Sequence, residues 1–321
     1  MTLYSVIGAG VAGLAVATEL VARGASVQVF DPAGGPGEQG CSWWAGGMLA
    51  PWREFENAEE PVLRLCQKAI DWWAARTEVH RKGKLVVANP RDLPDLRRFS
   101  RRTDRFNWIK NQEIAQFEPD LGAFQKALYF GEEGHLNPRR ALQDLLDQGV
   151  SFRKTRAPEN LPDAIDCRGF AAREALPDMR GVKGEILVIC CLDVALIWPF
   201  CLLHPRIPLY IVPRGDRIYM LGATMIESED RTRITARSML EMLSAAYALN
   251  PAFGEAEVLE IGVDLRPAFA DNLPRIRRRD GVVYANGLYR HGYLLAPALA
   301  QGVADLVLDN KTSEMVDEDN R

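Results

Sequence analysis

The residues whose types and spacing most clearly allow chemistry are the glycines of GAGVAG, residues 8–13. An apolar run, residues 3–7, precedes them, and apolar residues at helical spacing follow from Leu14. In a strand–turn–helix unit the first glycine allows the tight turn and the second lets the backbone approach a pyrophosphate. The third lets helix and strand pack closely, and the helix N-terminus faces the anion. The pattern predicts a dinucleotide-binding βαβ unit.

An acidic residue follows at the place where a nucleotide ribose would lie. Gly24 ends the helical pattern, residues 26–30 form a second strand pattern, and Asp31 comes 18 residues after Gly13. An acid at this spacing can bind a ribose 2′-hydroxyl. A lone GxGxxG is weak evidence, but strand, helix, second strand and acid in this order favour dinucleotide binding over a plain glycine turn.

A glycine-rich passage comes next, with six glycines between residues 34 and 47. Such a loop loses much conformational freedom on folding unless something orders it. We therefore expect a large cofactor to run along this passage.

Two late segments, residues 262–276 (GVDLRPAFADNLPRI) and 285–307 (ANGLYRHGYLLAPALAQGVADLV), also combine glycine, arginine and strand or helix patterns. In the second, backbone N–H groups near Gly292 would point at an acceptor that gains negative charge, as a reduced flavin does. Residues 209–228 form a third segment, a predicted hairpin with Tyr210 and Met225.

Composition excludes several classes of protein. A chain of 321 residues with a net charge of −4 and a pI near 5.7 is atypical of a nucleic-acid binder, and its length suggests two lobes. The four arginines at 275 and 277–279 are interpreted as a surface turn before a strand.

The cysteines and histidines indicate no metal site and no disulfide framework. They show neither CxxC nor a histidine ligand spacing: Cys41, Cys66, Cys167, Cys190, Cys191, Cys201, His80, His135, His204 and His291. With no signal peptide before the first strand, we expect a reduced, cytoplasmic protein.

Residues 186–203 are apolar apart from Asp193 and Pro199. Their length reaches the lower limit of a membrane span, but the charge and the proline favour paired strands, with the proline at a sheet edge. Membrane contact is therefore improbable.

The same stretch suggests a subunit interface. In a regular strand Trp198, Phe200 and Leu202 share one face, and Ile197 and Cys201 share the other. One lobe covers one face, so the other would expose a patch larger than monomers tolerate. We therefore predict a homo-oligomer.

The order of elements predicts a mixed α/β fold with a Rossmann-like lobe built from discontinuous segments and an inserted, largely antiparallel β-sheet lobe. Helices are expected near residues 59–77, 91–102, 235–249 and 295–309, with another that starts at Pro138; strands are expected at 84–88, 150–153, 164–167, 258–265 and 282–285. The first lobe would comprise 1–83, 129–183 and 262–310, the second 84–128 and 184–261, and 311–321 a frayed tail.

The chain resembles the FAD-dependent D-amino-acid oxidase superfamily, and within it the glycine oxidases of thiamine biosynthesis. The resemblance rests on GAGVAG, CSWWAGGMLAP, YIVPR followed by GATM, LRP, and YRHGYLLAPA. It implies that FAD lies along Gly8, Ala9, Gly10, Val11, Ala12, Gly13, Asp31, Pro32, Ser42, Ala45, Gly46, Gly47, Met48, Cys167, Arg168, Gly169, Arg290, His291, Gly292, Tyr293, Leu294 and Leu295. Asp31 replaces the glutamate of many relatives, and the chain is somewhat short for the family.

The resemblance also implies a substrate site. Arg266 would pair with the substrate carboxylate, Tyr210 would hydrogen-bond it, Arg290 would be a second pocket arginine, and Met225 would line the side-chain space. A bidentate guanidinium helped by a phenol suits a carboxylate. Direct hydride transfer from Cα to the flavin requires no acid–base dyad.

The implied reaction is oxidation of glycine or another small amino acid to its imine, which hydrolyses to the 2-oxo acid and ammonia, while oxygen becomes hydrogen peroxide. Thiamine thiazole synthesis would use the product. One alternative is an amine or D-amino-acid dehydrogenase that passes electrons to a quinone or partner protein, which the apolar stretch would suit. Another is a non-catalytic flavoprotein or an NAD-binding module.

Overall fold

The computed structural model describes residues 2–54, 60–204 and 208–317. The helices are α1 Val11–Ala22, α2 Pro51–Glu54, α3 Glu60–Cys66, α4 Ala69–Ala74, α5 Leu93–Ser100, α6 Asn111–Phe117, α7 Pro138–Leu146, α8 Ala236–Leu249 and α9 Gly292–Asp309. The strands are β1 Leu3–Ile7, β2 Ser26–Phe30, β3 Met48–Leu49, β4 Lys84–Ala88, β5 Asn107–Lys110, β6 Lys126–Phe130, β7 Gly134–His135, β8 Ser151–Arg153, β9 Ala164–Asp166, β10 Arg180–Cys190, β11 Phe200–Leu203, β12 Leu209–Pro213, β13 Ile218–Gly222, β14 Glu257–Ala268, β15 Arg275–Arg279 and β16 Val282–Asn286.

A six-stranded sheet forms around the first strand, in the order β15-β16-β9-β1-β2-β8. β1 pairs in parallel with β2 and β9, β16 pairs in parallel with β9, and β15 is an antiparallel edge strand. α1 and α9 pack against each other in a core that includes Leu14, Val16, Leu295 and Leu299. The predicted βαβ unit is confirmed, and its parallel strands direct their carboxyl ends to one edge, where such sheets bind ligands.

An eight-stranded sheet, in the order β14-β10-β13-β12-β11-β4-β6-β5, forms the other large layer. β11 and β4 run parallel, and the other neighbouring pairs run antiparallel. α6 and α8 cover one face with a core that contains Ile114 and Met242. The opposite face packs against α5 through Leu96 and Phe99, and against residues 44–48 of the glycine-rich segment. The mixed α/β class is therefore as predicted.

Residues 186–203 lie within this second layer. Ile186–Cys190 ends β10, and β11 lies between β12 and β4, so Pro199 precedes an interior strand rather than an edge strand. Phe200 and Leu202 are buried in the core beside α8, and Cys201 is buried in the core beside α5. The chain covers both faces of β11 itself, so the premise of an uncovered face was wrong. Among the described helices, none is long and apolar enough to cross a membrane.

Several elements differ from the sequence predictions. The helix expected over residues 59–77 is two helices, α3 and α4, and residue 59 lies outside the described residues. β5, α6 and β6 form between residues 102 and 138, where no helix or strand was expected. The four-arginine segment is β15 rather than a surface turn: Arg277 is 4 % exposed, and its guanidinium pairs with Asp178 and Asp317. These two carboxylates offset the burial of its charge.

The structure also differs from the sequence predictions at the C-terminal tail and at the expected lobe boundaries. Met315 is 5 % exposed, its carbonyl accepts from the N–H of Ile276, and Val316 forms a β-bridge with Ile276. Residues 311–317 are therefore held against the six-stranded sheet rather than frayed, while 318–321 lie outside the described residues. β6, β10 and β14 each cross an expected lobe boundary, at residues 128, 183 and 261 respectively.

Candidate active site

A cavity of about 710 Å³ lies between the two large sheets. Its walls come from residues 8–12 after β1, residues 30–48, residues 167–171 after β9, and the start of α9. Further wall residues come from β10, β12, β13 and β14 of the eight-stranded sheet. Segments far apart in sequence therefore meet at the carboxyl edge of the parallel strands, the usual position of a ligand site in such folds.

The glycine motif forms a cradle without side chains at the N-terminus of α1. A Cβ on Gly13 would lie 1.9 Å from the Gly8 carbonyl oxygen, so this glycine allows α1 to pack against β1 and does not itself line the cavity. Gly10 caps the helix, and the N–H of Val11 donates to the Ser42 hydroxyl at 3.1 Å. A turn open to close approach at a helix N-terminus fits a pyrophosphate, so this end of the cavity fits a dinucleotide.

Asp31 and Pro32 line the cavity at the end of β2, as the ribose-binding hypothesis requires. The Asp31 carboxylate accepts from the N–H of Ala9 and of Ala33, each at 2.9 Å. These bonds fix the carboxylate beside the glycine turn. Each oxygen keeps a further acceptor position that a ribose hydroxyl can use.

Residues 167–169 line the cavity after β9. Arg168 is held away from a ligand role by Asp166 and Glu174, each with an N···O distance of 2.7 Å. Gly169 has a φ of +60°, which favours glycine. Burial raises the pKa of the Cys167 thiol, so this cysteine stays neutral.

Hydrogen bonds from two side chains, Arg214 and Tyr293, hold residues 42–48 in place along the cavity wall. The Arg214 guanidinium donates to the carbonyls of Ala45 at 2.9 Å, Gly46 at 3.2 Å and Leu136 at 3.1 Å. The Tyr293 hydroxyl donates to the Ser42 carbonyl at 3.0 Å. Burial lowers the pKa of Arg214 to about 10 and leaves it cationic at neutral pH.

Ser42, Ala45, Gly46, Gly47 and Met48 all line the cavity, as predicted. Gly47 has a φ of +68°, and a Cβ there would lie 2.2 Å from the Leu136 carbonyl oxygen. No other residue type fits this position without a backbone shift.

The start of α9 contributes fewer wall residues than expected. Gly292 and Tyr293 line the cavity, but His291, Leu294 and Leu295 do not. α9 starts at Gly292, so the two leucines already lie on the helix surface that packs into the core of the six-stranded sheet. The His291 ring accepts from Arg290 Nε at 3.2 Å and supports that arginine instead.

Arg266 lies on β14, in the wall that the eight-stranded sheet contributes to the cavity. Its guanidinium rests on Gly184 of β10, where a Cβ would lie 2.4–2.7 Å from the guanidinium atoms. Nη1 donates to the Thr224 carbonyl at 2.9 Å, and no described carboxylate forms an ion pair with it. Burial lowers the pKa of Arg266 from its ordinary value. A half-buried guanidinium without a carboxylate partner is suited to bind a ligand carboxylate.

Tyr210, Arg290 and Met225 also line the cavity, so the four predicted substrate residues share one cavity. Arg290 Nη1 and the Tyr289 hydroxyl lie 3.9 and 3.7 Å from the Met225 sulfur. The Lys84 ammonium lies 4.5 Å from the centre of the Tyr210 ring, and Lys84 is not itself a wall residue of this cavity. In the described chain Met225 is 50 % exposed, so it lies near the cavity mouth.

Several wall residues were not identified from the sequence: Cys41, Gly184, Tyr289, Arg231 and Asp264. Asp264 lies two positions before Arg266, so the period of a strand could have placed it on the same face. Gly184 became apparent only through the pairing of β10 with β14. The described residues hold no group of His, Cys, Asp and Glu side chains suited to a metal ion.

Comparison with known proteins agrees with this geometry. Residues 4–306 match the DAO family of FAD dependent oxidoreductases. A Rhizobium etli protein named as a thiamine biosynthesis oxidoreductase, ThiO, is 51 % identical over 311 residues, covering 94 % of this chain and 95 % of the relative. The glycine oxidase of Pseudomonas aeruginosa is 26 % identical over 94 % of this chain and 93 % of the relative.

Solved structures show the same fold. The crystal structure of glycine oxidase from Geobacillus kaustophilus matches with a TM-score of 0.78 and 23 % identity, covering 98 % of this chain and 97 % of that one. Iminodiacetate oxidase from Chelativorans sp. BNC1 matches with a TM-score of 0.80 and 22 % identity over 99 % of both chains. With a glycine cradle, a ribose-side acid and this family match over nearly its whole length, the chain belongs to the DAO family of FAD-dependent oxidoreductases.

Proposed function

We propose that this FAD-dependent oxidoreductase oxidises glycine or another small amino acid. The imine product would hydrolyse to the 2-oxo acid and ammonia, and molecular oxygen would take the electrons and form hydrogen peroxide. The observation that carries the proposal is Arg266, a half-buried guanidinium without a carboxylate partner in the cavity that also holds the dinucleotide cradle. A small acid bound there lies in the same enclosed space as the cofactor.

FAD would lie along the walls described above, with its pyrophosphate at Gly8, Gly10 and the N-terminus of α1. Ser42, Ala45, Gly46, Gly47 and Met48 would flank the ring system, and Gly292 with Tyr293 would supply the N-terminus of α9. The bound flavin supplies the two-electron acceptor for a hydride from the substrate Cα. The protein orients the substrate and favours negative charge at a helix N-terminus.

Substrate binding would start at the carboxylate. Arg266 would hold it through two parallel hydrogen bonds, while Tyr210 donates a third and Arg290 adds positive charge. Met225 would border the space left for a substrate side chain. Glycine, sarcosine and small D-amino acids differ by a methyl group or two, worth roughly 1–3 kcal/mol in a pocket. Discrimination among these substrates would therefore depend on how much space Met225 leaves for a side chain.

The proposed physiological role of the product rests on the name of a relative. The 51 % identical relative is named for thiamine biosynthesis, which supports supply of thiamine thiazole synthesis as the role of the product. A cytoplasmic location would suit cysteines that form no disulfide among the described residues. Homo-oligomer formation remains a prediction, without support from residues 186–203. The dehydrogenase alternative loses the same support, since β11 and most of residues 186–203 are buried within the chain.

Anaerobic mixing with a panel of amino acids tests the function directly. Glycine, sarcosine and small D-amino acids are added to the oxidised holoenzyme while the flavin absorbance is followed, and peroxide is measured after oxygen is admitted. Bleaching followed by stoichiometric peroxide is expected. Bleaching without peroxide would support the dehydrogenase alternative, and no bleaching by any of these compounds would refute the proposed substrate class.

A further inference from the structure

We propose that Asp264 binds the α-ammonium group of the substrate and accepts a proton from it. This inference rests on the proposed function, because it assigns a second substrate-contacting side chain in the same cavity. It concerns the nitrogen end of the substrate, whereas the residues discussed so far contact the carboxylate end.

Strand geometry places Asp264 beside the carboxylate-binding guanidinium. Asp264 and Arg266 are two residues apart on β14, so their side chains project from the same face. Asp264 is paired directly across the sheet with Gly184, the residue on which the Arg266 guanidinium rests. Side chains directly opposite in a sheet are about 5 Å apart at Cβ. The guanidinium therefore occupies the space next to the Asp264 carboxylate.

Despite this proximity the two groups do not neutralise each other. The contacts of Arg266 include the Thr224 carbonyl but no ion pair with Asp264. An amino acid carries an ammonium and a carboxylate on one carbon, so it requires a cation and an anion side by side. The cavity wall offers both, unpaired with each other.

The Asp264 carboxylate keeps one oxygen available. Oδ1 accepts from the N–H of Leu265 at 2.8 Å and lies 3.0 Å from Arg231 Nη2. Oδ2 accepts no hydrogen bond from the described residues, and Asp264 lines the cavity although it is only 8 % exposed. This oxygen is not among the buried unsatisfied atoms of the described chain and lies open at the cavity wall, where it can accept a charge-assisted hydrogen bond from a substrate ammonium.

The titration of Asp264 agrees with a role as base. The charged and titratable groups that face it are Arg231 from the 223–235 loop, Arg266 from its own strand and Cys41 from the glycine-rich segment. Burial nevertheless raises the pKa of Asp264 above its ordinary value, despite the two arginines. Burial also raises the pKa of Cys41 to about 12, so this thiol stays neutral beside it.

The proton transfer is balanced without any electron acceptor. One N–H bond of the ammonium breaks, its electron pair stays on nitrogen, and the proton forms an O–H bond with Oδ2. The products are a neutral amine and a neutral carboxylic acid. The nitrogen lone pair can then form the second bond of the C=N product when hydride leaves Cα. An ammonium has no such lone pair, so deprotonation must precede oxidation.

The test compares Asp264→Asn with Arg231→Gln in the FAD-loaded enzyme. Both substitutions break the same ion pair, but only the first removes the carboxylate. The dissociation constant of glycine is measured by anaerobic rapid mixing, and that of glycolate, which has a hydroxyl in place of the ammonium, by spectral perturbation of the flavin. We expect Asp264→Asn to raise the dissociation constant of glycine at least tenfold. The dissociation constant of glycolate should change less than threefold. Arg231→Gln keeps the carboxylate, so it should weaken glycine binding less than Asp264→Asn does.

The pH profile gives a second readout. In the wild type, kcat/KM for glycine should fall on the acid side as Asp264 is protonated. In Asp264→Asn this acid limb should disappear, and the activity deficit should shrink as pH rises and more glycine carries a neutral amine. Equal losses in both variants, or an unchanged glycine affinity in Asp264→Asn, would overturn the inference while leaving the proposed function intact. A wild-type enzyme that no amine reduces would overturn both.

Discussion

At the scale of single residues, the position of Arg266 depends on the absence of a side chain opposite it. The LRP sequence identified the arginine, but its conformation is set by Gly184 on a strand some 80 residues away in sequence. No pattern within one strand reveals which glycine will lie beneath a given guanidinium. The candidate site was therefore predictable where a motif is local and unpredictable where strand pairing completes it.

Replacement of Arg266 by alanine should weaken binding of a carboxylate inhibitor by about 2–4 kcal/mol, the loss of a charge-assisted hydrogen-bonding partner. Arg266→Lys should recover part of the loss, because a lysine cannot form the bidentate bond. FAD occupancy should be retained in both. Spectral titration with the inhibitor measures the effect, and Arg278→Ala, on the exposed side of β15, is the control. Normal inhibitor affinity in Arg266→Ala would show that the substrate site lies elsewhere.

Gly184→Ala should weaken the same inhibitor about tenfold without unfolding the protein. The added Cβ would meet the end of a flexible side chain rather than backbone, so the Arg266 guanidinium must move while β10 stays in place. A double-mutant cycle with Arg266→Ala isolates this effect. In the Arg266→Ala background, Gly184→Ala should cost nothing further. An equal loss in both backgrounds would mean that Gly184 acts through something other than the arginine.

At the scale of elements, the two helices with a side-chain cap were predicted well, whereas the helix expected over residues 59–77 and the short elements were not. α8 begins after its Thr235 cap and α7 after its Asn137 cap, close to the predicted positions. β5, α6 and β6 contain few residues each, and their form depends on packing against β4 and the 191–199 connection. The glycine-rich segment lines the cavity in which a cofactor was expected to run along it, although the cation that holds it, Arg214, was not singled out.

Arg214→Met should loosen the segment at residues 45 and 46 and weaken FAD binding at least tenfold. The guanidinium joins three carbonyls from two segments, and a methionine of similar length can join none. The FAD affinity of Arg214→Lys should lie between those of the wild type and Arg214→Met, because a lysine has fewer donors in a less fixed geometry. Arg217→Met is a matched control from the same hairpin, because Arg217 donates to the Val194 carbonyl instead. Fluorescence titration of the apoprotein with FAD measures the affinity.

Glu118 should make stability fall as pH rises through neutrality. Its carboxylate accepts from the N–H groups of Ile197 and Trp198, yet burial raises its pKa to about 7. A raised pKa in the folded state means that folding favours the protonated form. The contribution is complete below the unfolded pKa, near 4.5, and is lost as pH rises through about 7.

The unfolding free energy of Glu118→Gln relative to that of the wild type should therefore increase between pH 5 and pH 8, by on the order of 2 kcal/mol. Thermal melts of both proteins at several pH values measure the difference. Asp193→Asn, at an exposed position of the 191–199 connection, provides the control variant. A constant difference across this pH range would show that Glu118 does not titrate there.

At the scale of the whole molecule, two sheets enclose one cavity, and each sheet takes strands from separate parts of the sequence. The discontinuous organisation was predicted from the order of elements, whereas the exact limits were not, because β10 and β14 extend beyond the motifs that marked them. An extended enclosed site predicts tight cofactor binding without a covalent bond. Acid precipitation of the purified protein should release FAD into the supernatant, and flavin that stays in the pellet would contradict this.

Packing of β11 and Trp198 within one chain makes a second global prediction. The Trp198 ring packs edge-on against Phe117 at 5.2 Å and Tyr129 at 5.7 Å between ring centres, all within the chain. Trp198→Arg would place a charge in this cluster and remove its packing, so we expect a loss of about 2–4 kcal/mol of unfolding free energy. Leu192→Arg, at a position 75 % exposed, should change stability by less than about 0.5 kcal/mol. Denaturant melts measure both, and light scattering should give the same mass for wild type and variants. A Trp198→Arg protein of unchanged stability but smaller mass would instead place this tryptophan at a subunit interface.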